Sequence, residues 1–326
     1  MLPASSRVRC DGYRDAAVME PGIGVRSGDE NPMSVMISAV ILSFNRREAL
    51  RHTLGVIRSQ PWAAEAQVIV VDNGSADGSA AMVRAEFPQF TLVALASNVL
   101  IEGFNIGAAR AQGELLLILD DDSWPEAGAV EAAVEYMKSE PGTGGLMLHR
   151  RHPQTLGYEW PFDAPSLKGI NRGWPDMGCG NLYRREAWSK VGGYEAAYSL
   201  YRNDTDMALK LLAAGYDVVF NPAWLVWHDS RIVTKKSDRW LHLSTRNWMW
   251  MATRHARGML RRRGQLLGWL HAHRLAGWRL SGHWSVLKGA LQGLLTAAPS
   301  MPECADPADG RHYRRLLDLK VRLRGP

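Results

Sequence analysis

An α/β fold, an open and mostly parallel sheet flanked by helices, is predicted by three observations. First, the apolar runs 35–43 (VMISAVILS), 67–71 (QVIVV) and 114–119 (ELLLIL) have the length and near-continuous hydrophobicity of buried parallel strands. Second, stretches with helical spacing of apolar residues alternate with them, the signature of a sheet covered by helices. Third, each run stops on a polar cluster: Ser43-Phe44-Asn45, Asp72-Asn73 and Asp120-Asp121-Asp122. Ligands of open α/β sheets bind beyond the carboxyl ends of the strands, so the three clusters are expected to face one crevice.

The elements follow in order. After the first strand, 46–58 carries Leu50, Leu54 and Ile57 on one helical face. The second strand stops at Asp72-Asn73-Gly74-Ser75, a loop signal, and 76–87 is helical. A short third strand spans 91–95, a small-residue helix 103–112, and the fourth strand leads into the aspartates. Beyond a helix at 127–138 the pattern loosens. Residues 149–178 are rich in Pro, Gly and Trp and read as a long loop region holding Trp160, Trp174 and Asp176. Helices are expected at 184–191 and 206–214, with Asp206 capping the second. Short strands follow at 217–221 and 225–227. From Trp240 onward the chain is helical and rich in Trp and Arg, and Trp284, Leu287, Leu291 and Leu294 share a face.

Charge divides the chain. From Arg231 to the end there are 19 Lys+Arg against 5 Asp+Glu, while the rest holds 20 basic and 28 acidic residues. A basic tail on an acidic body points to an anionic partner or to a solvated helical surface. Arg261-Arg262-Arg263, interleaved with Trp269, Trp278 and Trp284, reads as an interfacial segment on an anionic membrane rather than a nucleic-acid site. The same segment could instead be the interface of a homo-oligomer. Residues 1–32 lack the apolar core of a signal peptide and are expected to be disordered. No run of roughly 18 apolar residues predicts a membrane span. Cys10, Cys179 and Cys304 are sparse and without metal or redox spacing, which favours a reducing compartment. No chemistry is assigned to Cys179.

Three adjacent carboxylates at a strand end repel unless a cation compensates them, and hard oxygen ligands suit Mg²⁺ or Mn²⁺ rather than zinc. Alone, the run reads equally well as an acidic loop capping the helix after Pro125. Its company is more specific. VILSFNRREAL, VIVVDNGSADGS, Asn98, Gly103-x-Asn105-x-Gly107, Ala111-x-Gly113-Glu114 and LLLILDDDSWP occur in order. GNLYRREAWSKVGGYEAAYSLYRNDTDMALKLLAAGYDVVFNPAWLVWH follows them. This series resembles the motifs of family 2 glycosyltransferases with the GT-A fold, over about 35–247.

The resemblance implies a catalytic domain over 33–230 with a basic helical region at 231–326. It implies an inverting, metal-dependent transfer from a nucleotide-sugar, a UDP- or dTDP-sugar, to a glycan or lipid-linked acceptor. The setting implied is cell-envelope polysaccharide assembly in the cytoplasm or on the inner face of the membrane. Ser43, Asn45, Arg46, Asp72, Asn73, Asn105 and Asp121 would bind the donor. Asp120 and Asp122 match the metal-binding Asp-x-Asp, with His228 completing the shell, although a histidine there could equally be packed. Asp204 matches the general base, and Arg246-Asn247 a pair on the following helix. Three positions depart from the pattern: Asn203 stands for a glutamate, Leu100 for glycine and Phe104 for arginine. Asn203 keeps a non-catalytic sugar-binding relative in play. A nucleotidyltransferase is disfavoured because Ser43-Phe44-Asn45-Arg46 is not glycine-rich. A dinucleotide oxidoreductase is disfavoured because no G-x-G-x-x-G follows an early strand.

Overall fold

In β1 (Ile37–Ser43) alternate residues go to opposite faces of the sheet. Ile37, Ala39 and Ile41 join one buried cluster, and Val40 joins another. The computed structural model describes residues 36–159, 167–230, 236–306 and 310–322. The segment 1–32, expected to be disordered, and Trp160 lie outside them. The first cluster packs under α1 (Arg47–Arg58), where Leu50, Leu54 and Ile57 are buried as their spacing predicts. Next come β2 (Gln67–Asp72), α2 (Ser79–Glu86), β3 (Thr91–Ala94) and α3 (Glu102–Ala108). Helix α3 lies on the opposite face and sits unusually close. A Cβ at Gly107 would come within 2.4 Å of Val40 and 2.9 Å of Val71.

β4 (Leu115–Asp120) pairs parallel with β1, completing a parallel block ordered β3-β2-β1-β4. Then follow β5 (Ser123–Pro125), α4 (Ala129–Ser139), β6 (Thr143–Arg151), β7 (Asn171–Arg172), β8 (Asn181–Arg184), α5 (Arg185–Lys190), α6 (Asn203–Ala213) and β9 (Asp217–His228). β8 is antiparallel to both β4 and β6, so the sheet is mixed beyond β4. The α/β architecture is therefore as expected, with its parallel character confined largely to the first half.

Two local expectations change. The supposed loop 149–178 is entered by β6 and crossed by β7. The two short strands are one, β9, despite Pro222. Phe220 pairs with Met147 and Leu225 with His149, so residues 221–224 bulge opposite Leu148 and the proline meets no ladder donor requirement. Trp174 is buried and stacks on Phe220 with ring centroids 4.7 Å apart, so it is a core residue.

The remaining described helices are α7 (Asp238–His255), α8 (Gly258–Ala276), α9 (Leu280–Leu295) and α10 (Arg311–Arg322). The Ser237 hydroxyl caps α7 by accepting from Trp240 N at 3.1 Å. α8 and α9 approach α7 through small residues: Gly268 meets the Trp248 ring, Gly289 the His242 carbonyl and Gly293 the Arg246 carbonyl. α10 returns Tyr313, Leu316 and Leu317 to a cluster with Leu209 of α6 and Met251 of α7.

Candidate active site

The three aspartates after β4 diverge because the chain turns at once. The Ser123 hydroxyl closes the turn, accepting from Asp120 N and donating to Asp120 O, both at 3.0 Å. Asp120 opens into the crevice at the strand ends, with 46% of its side chain exposed. Asp121 points the other way. It accepts from Ser43 Oγ at 2.8 Å and lies 3.2 Å from the Arg46 guanidinium. Asp122 is buried, with Arg46 Nη1 2.7 Å from one oxygen and His228 Nε2 3.4 Å from the other. The histidine arrives through β5, three residues long, whose Ser123 pairs with His228 of β9. Asp229 N then donates to Asp122 O at 2.8 Å.

His228 is oriented from behind. Its Nδ1 contacts Glu159 at 2.7 Å, and Glu159 also accepts from Ser230 Oγ at 3.2 Å and lies 3.4 Å from Arg150. With Nδ1 engaged, Nε2 is the atom turned to the aspartates. Burial alone would lower the ring's pKa. The Asp122 and Glu159 carboxylates outweigh it and push His228 up to about 10. Burial works against the Asp122 carboxylate too, but His228 and Arg46 pull it down to about 2. Burial, partly offset by Arg46, raises Asp121 to about 7, and confinement together with Asp122 raises Asp120.

These residues fit a divalent cation. Asp122 Oδ1 is buried with no hydrogen-bond partner among the described residues. One ligand atom each from Asp120, Cys179 and His228 lie within 4.8 Å of one another. The His228 imidazolium and the Arg46 guanidinium balance these carboxylates, and a metal ion would take the imidazolium's place. Cys179 was not anticipated, since a lone cysteine beside glycines carries no sequence signal. Glu159 was not anticipated either, because it stands in a stretch read as loop.

Asp204 lies in the first turn of α6, across the crevice. Tyr194 OH donates to its Oδ1 at 2.6 Å, and Asn181 Nδ2 approaches the same atom at 3.3 Å. Burial, opposed by the tyrosine bond and reinforced by Asp120, raises it to about 6. The turn before it is strained: Ser199, Tyr201 and Arg202 have φ of 64°, 70° and 65°. Asn247 of α7 holds that turn: its Nδ2, with two hydrogens shared among them, lies 2.9, 2.7 and 2.9 Å from the carbonyl oxygens of Tyr198, Leu200 and Tyr201. Arg246 adds donations to the Ala197 and Tyr198 carbonyls at 3.1 and 2.9 Å. Asp206 does not cap α6 as expected. It is fully buried on Arg254 (2.9 Å), His255 (2.7 Å) and Tyr198 OH (3.1 Å), and these partners hold it well below the usual carboxylate range.

The expected donor-binding residues fall into two groups. Asp72 is buried, accepts from Ser75 N at 3.3 Å, and leaves Oδ1 without a partner among the described residues. The others each have partners within the protein. Asn45 (φ 52°) accepts from Ala76 N at 2.8 Å. Asn73 accepts from Val99 N at 2.9 Å and donates to Leu100 O at 3.1 Å. Asn105 accepts from Tyr194 N at 2.9 Å and donates to Tyr194 O at 2.8 Å and to Glu102 at 2.7 Å. Ser43, Arg46 and Asp121 bind one another around Asp122.

Carboxylates beyond the carboxyl ends of β2 and β4, a histidine on β9 and a raised acid on α6 share the crevice. Residues 38–206, just over half of the chain, match glycosyl transferase family 2. The chain belongs to that family. An N-acetylglucosaminyltransferase of Bradyrhizobium diazoefficiens is 27% identical over 239 residues, 65% of this chain and 49% of the relative. This chain therefore spans about half the length of that relative. An N-acetylglucosaminyl-diphospho-decaprenol L-rhamnosyltransferase of Mycobacterium tuberculosis is 24% identical over 273 residues, covering 69% of this chain and 80% of that protein. Among solved structures, the mannosyltransferase PcManGT of Pyrobaculum calidifontis, in complex with GDP-Man and Mn²⁺, has a TM-score of 0.53 at 20% identity. That match covers 88% of this chain and 84% of PcManGT. GalNAc-T7 with UDP, GalNAc and Mn²⁺ has a TM-score of 0.56 at 15% identity, covering 82% and 56%. The fold of this family 2 glycosyltransferase is GT-A.

Proposed function

We propose that this family 2 protein transfers a glycosyl group, with inversion, from a nucleoside-diphosphate sugar to an acceptor hydroxyl. The observation that carries the reading is the convergence of Asp120, Asp122 and His228 opposite Asp204 across one crevice. Asp120, Asp122 through its open oxygen, and His228 Nε2 would hold Mg²⁺ or Mn²⁺, with the Cys179 thiol alongside. When bound, the ion neutralises the negative charge gathering on the departing diphosphate.

The chain's own residues supply the rest. Asp204 takes the proton of the acceptor hydroxyl as that oxygen forms its bond to the anomeric carbon. The bond from that carbon to the diphosphate oxygen breaks with its electron pair, and the nucleoside diphosphate leaves. Attack opposite the leaving group inverts the anomeric centre. A base whose pKa is about 6 is ionised at neutral pH and still basic enough to accept a proton. Asp72, with one buried oxygen open, is assigned to the base or ribose of the donor. Asn45, Asn73 and Asn105 are assigned to holding the loops around it. The mycobacterial relative's name, which carries a diphospho-decaprenol acceptor, supports a lipid-linked glycan acceptor.

The test is thermal stabilisation by UDP, dTDP, GDP and CMP, each with and without Mn²⁺ or Mg²⁺. A metal-dependent shift with one nucleoside diphosphate is expected, and should vanish in Asp122→Ala. Silence across the panel from well-folded protein would overturn the reading.

A further inference from the structure

Helices α8 and α9 are built inside out for a protein surface in water. A surface helix normally turns its large apolar residues inward and its polar ones to solvent. Here the buried positions of α8 are Gly264, Gly268, Ala272 and Ala276, a small-residue row at every fourth position. Those of α9 are Gly282, Val286, Gly289, Ala290 and Gly293. These rows let both helices close on α7, and they push the large side chains outward. Trp269, Leu270, Trp278, Leu280, Trp284 and Leu291 are exposed, Trp278 completely and Leu280 to 86%. Scattered exposed apolar residues need no explanation, but contiguous patches beyond a few hundred Å² mark an interaction surface.

The charge of this face identifies what it meets. Between Arg257 and Leu295 there are seven Lys+Arg and not one Asp or Glu. Arg279 and Arg263 lie 2.8 Å from Asp238 and 3.6 Å from Asp318. Arg257, Arg262, Arg274 and Lys288 are exposed and lack an acidic partner among the described residues. Lys288 lies over the Trp284 ring, 5.3 Å from its centroid. Aromatic rings with cations beside them suit the boundary between acyl chains and phosphate headgroups, where long basic side chains reach the charge while their stems stay in the apolar layer. Among the described residues no helix is long and apolar enough to cross a membrane.

We propose that the outer faces of α8 and α9 form a platform that lies on an anionic lipid surface, inserting Trp278, Leu280 and Trp284 below the headgroups. The platform bears on the site proposed for transfer. Gly293 of α9 packs on the carbonyl of Arg246, and Arg246 and Asn247 hold the turn that leads to Asp204. Two helices, α9 and α7, each roughly 10 Å thick with its side chains, separate the lipid surface from that turn.

Co-sedimentation of the full chain with phosphatidylcholine vesicles, with and without phosphatidylglycerol, tests this, together with tryptophan quenching by brominated lipid. Binding is expected only with phosphatidylglycerol, weakening as salt rises, with quenching on contact. The combined variant Trp278→Glu, Leu280→Glu, Trp284→Glu should bind at least about tenfold more weakly. Arg262→Glu, Arg274→Glu, Lys288→Glu should lose the preference for phosphatidylglycerol. Both change exposed residues, so their thermal unfolding and nucleotide-dependent stabilisation should match the parent, which separates failure here from failure of the transferase reading. No binding by folded parent protein, or binding that the first variant leaves unchanged, would overturn the proposal. A homodimer that the first variant dissociates, with no vesicle binding, would also overturn it and give the platform to a second copy.

Discussion

The parallel block β1–β4 and the later segment from β8 to β9 face the same crevice but use their polar residues differently. In the first, the side chains that make the loops recognisable are tied to those loops: Asn45 to Ala76, Asn73 to Val99 and Leu100, Asn105 to Tyr194. In the second, polar groups are turned toward the aspartates after β4 and the crevice, His228 from β9 and Asp204 from α6, each braced from behind by Glu159 or Tyr194. Buried Asn73 needs hydrogen-bond partners, and the irregular backbone of the loops supplies them to it and to the more open Asn45 and Asn105. Acids held in partial burial with one well-placed neighbour keep a proton affinity that chemistry can use.

The comparison can be broken at three points. The largest effect is expected for Asp204→Asn, which should slow transfer by about 10²–10⁴-fold, the usual contribution of a positioned base, while metal-dependent nucleotide binding persists. In the parent, burial and the nearby Asp120 raise the base to about 6 against the offsetting Tyr194 bond. Because it must be ionised to act, kcat/KM should be flat above that pH and fall roughly tenfold per unit below it. The Asp204→Asn variant should lose that limb, and a retained acid limb would assign it to another group. A middle effect is expected for Glu159→Gln, which withdraws charge from behind His228. Such changes weaken metal affinity by about 10–100-fold, and a Mn²⁺ titration of the folded variant measures this directly. Unchanged affinity would show that His228 is held by packing. The smallest effect belongs to the first region. Asn73→Ala should lower stability by about 1–3 kcal/mol by leaving Val99 N and Leu100 O without their partner. Its nucleoside preference should stay as in the parent, and a switched preference would mean that the asparagine reads the donor after all.

The parallel strands were legible because uniform burial writes itself as apolar runs, and the clusters at their ends followed from topology. Asp120, Asp122, Asp204 and His228 were legible through the series of motifs, and their proximity then had to come from the fold. What brings His228 to Asp122 is β5, whose three residues Ser-Trp-Pro carry no strand pattern. Glu159 and Cys179 reach the cluster through long-range pairing around β6, β8 and β9, which no local period encodes. Asp206 was misread for the opposite reason. Two acids in the opening of a helix look alike in sequence, yet one meets Tyr194 and the crevice while the other meets Arg254 and His255 in the interior.

The left-handed turn at Ser199, Tyr201 and Arg202 bears on how this protein can change over time. Non-glycine residues in that conformation are each disfavoured by roughly 1–3 kcal/mol, so glycine would relieve the backbone at three positions within four residues. Relief would also loosen the approach to Asp204, because the geometry that Asn247 enforces is the strained one. Selection for heat tolerance and selection for turnover therefore pull on this short stretch in opposite directions.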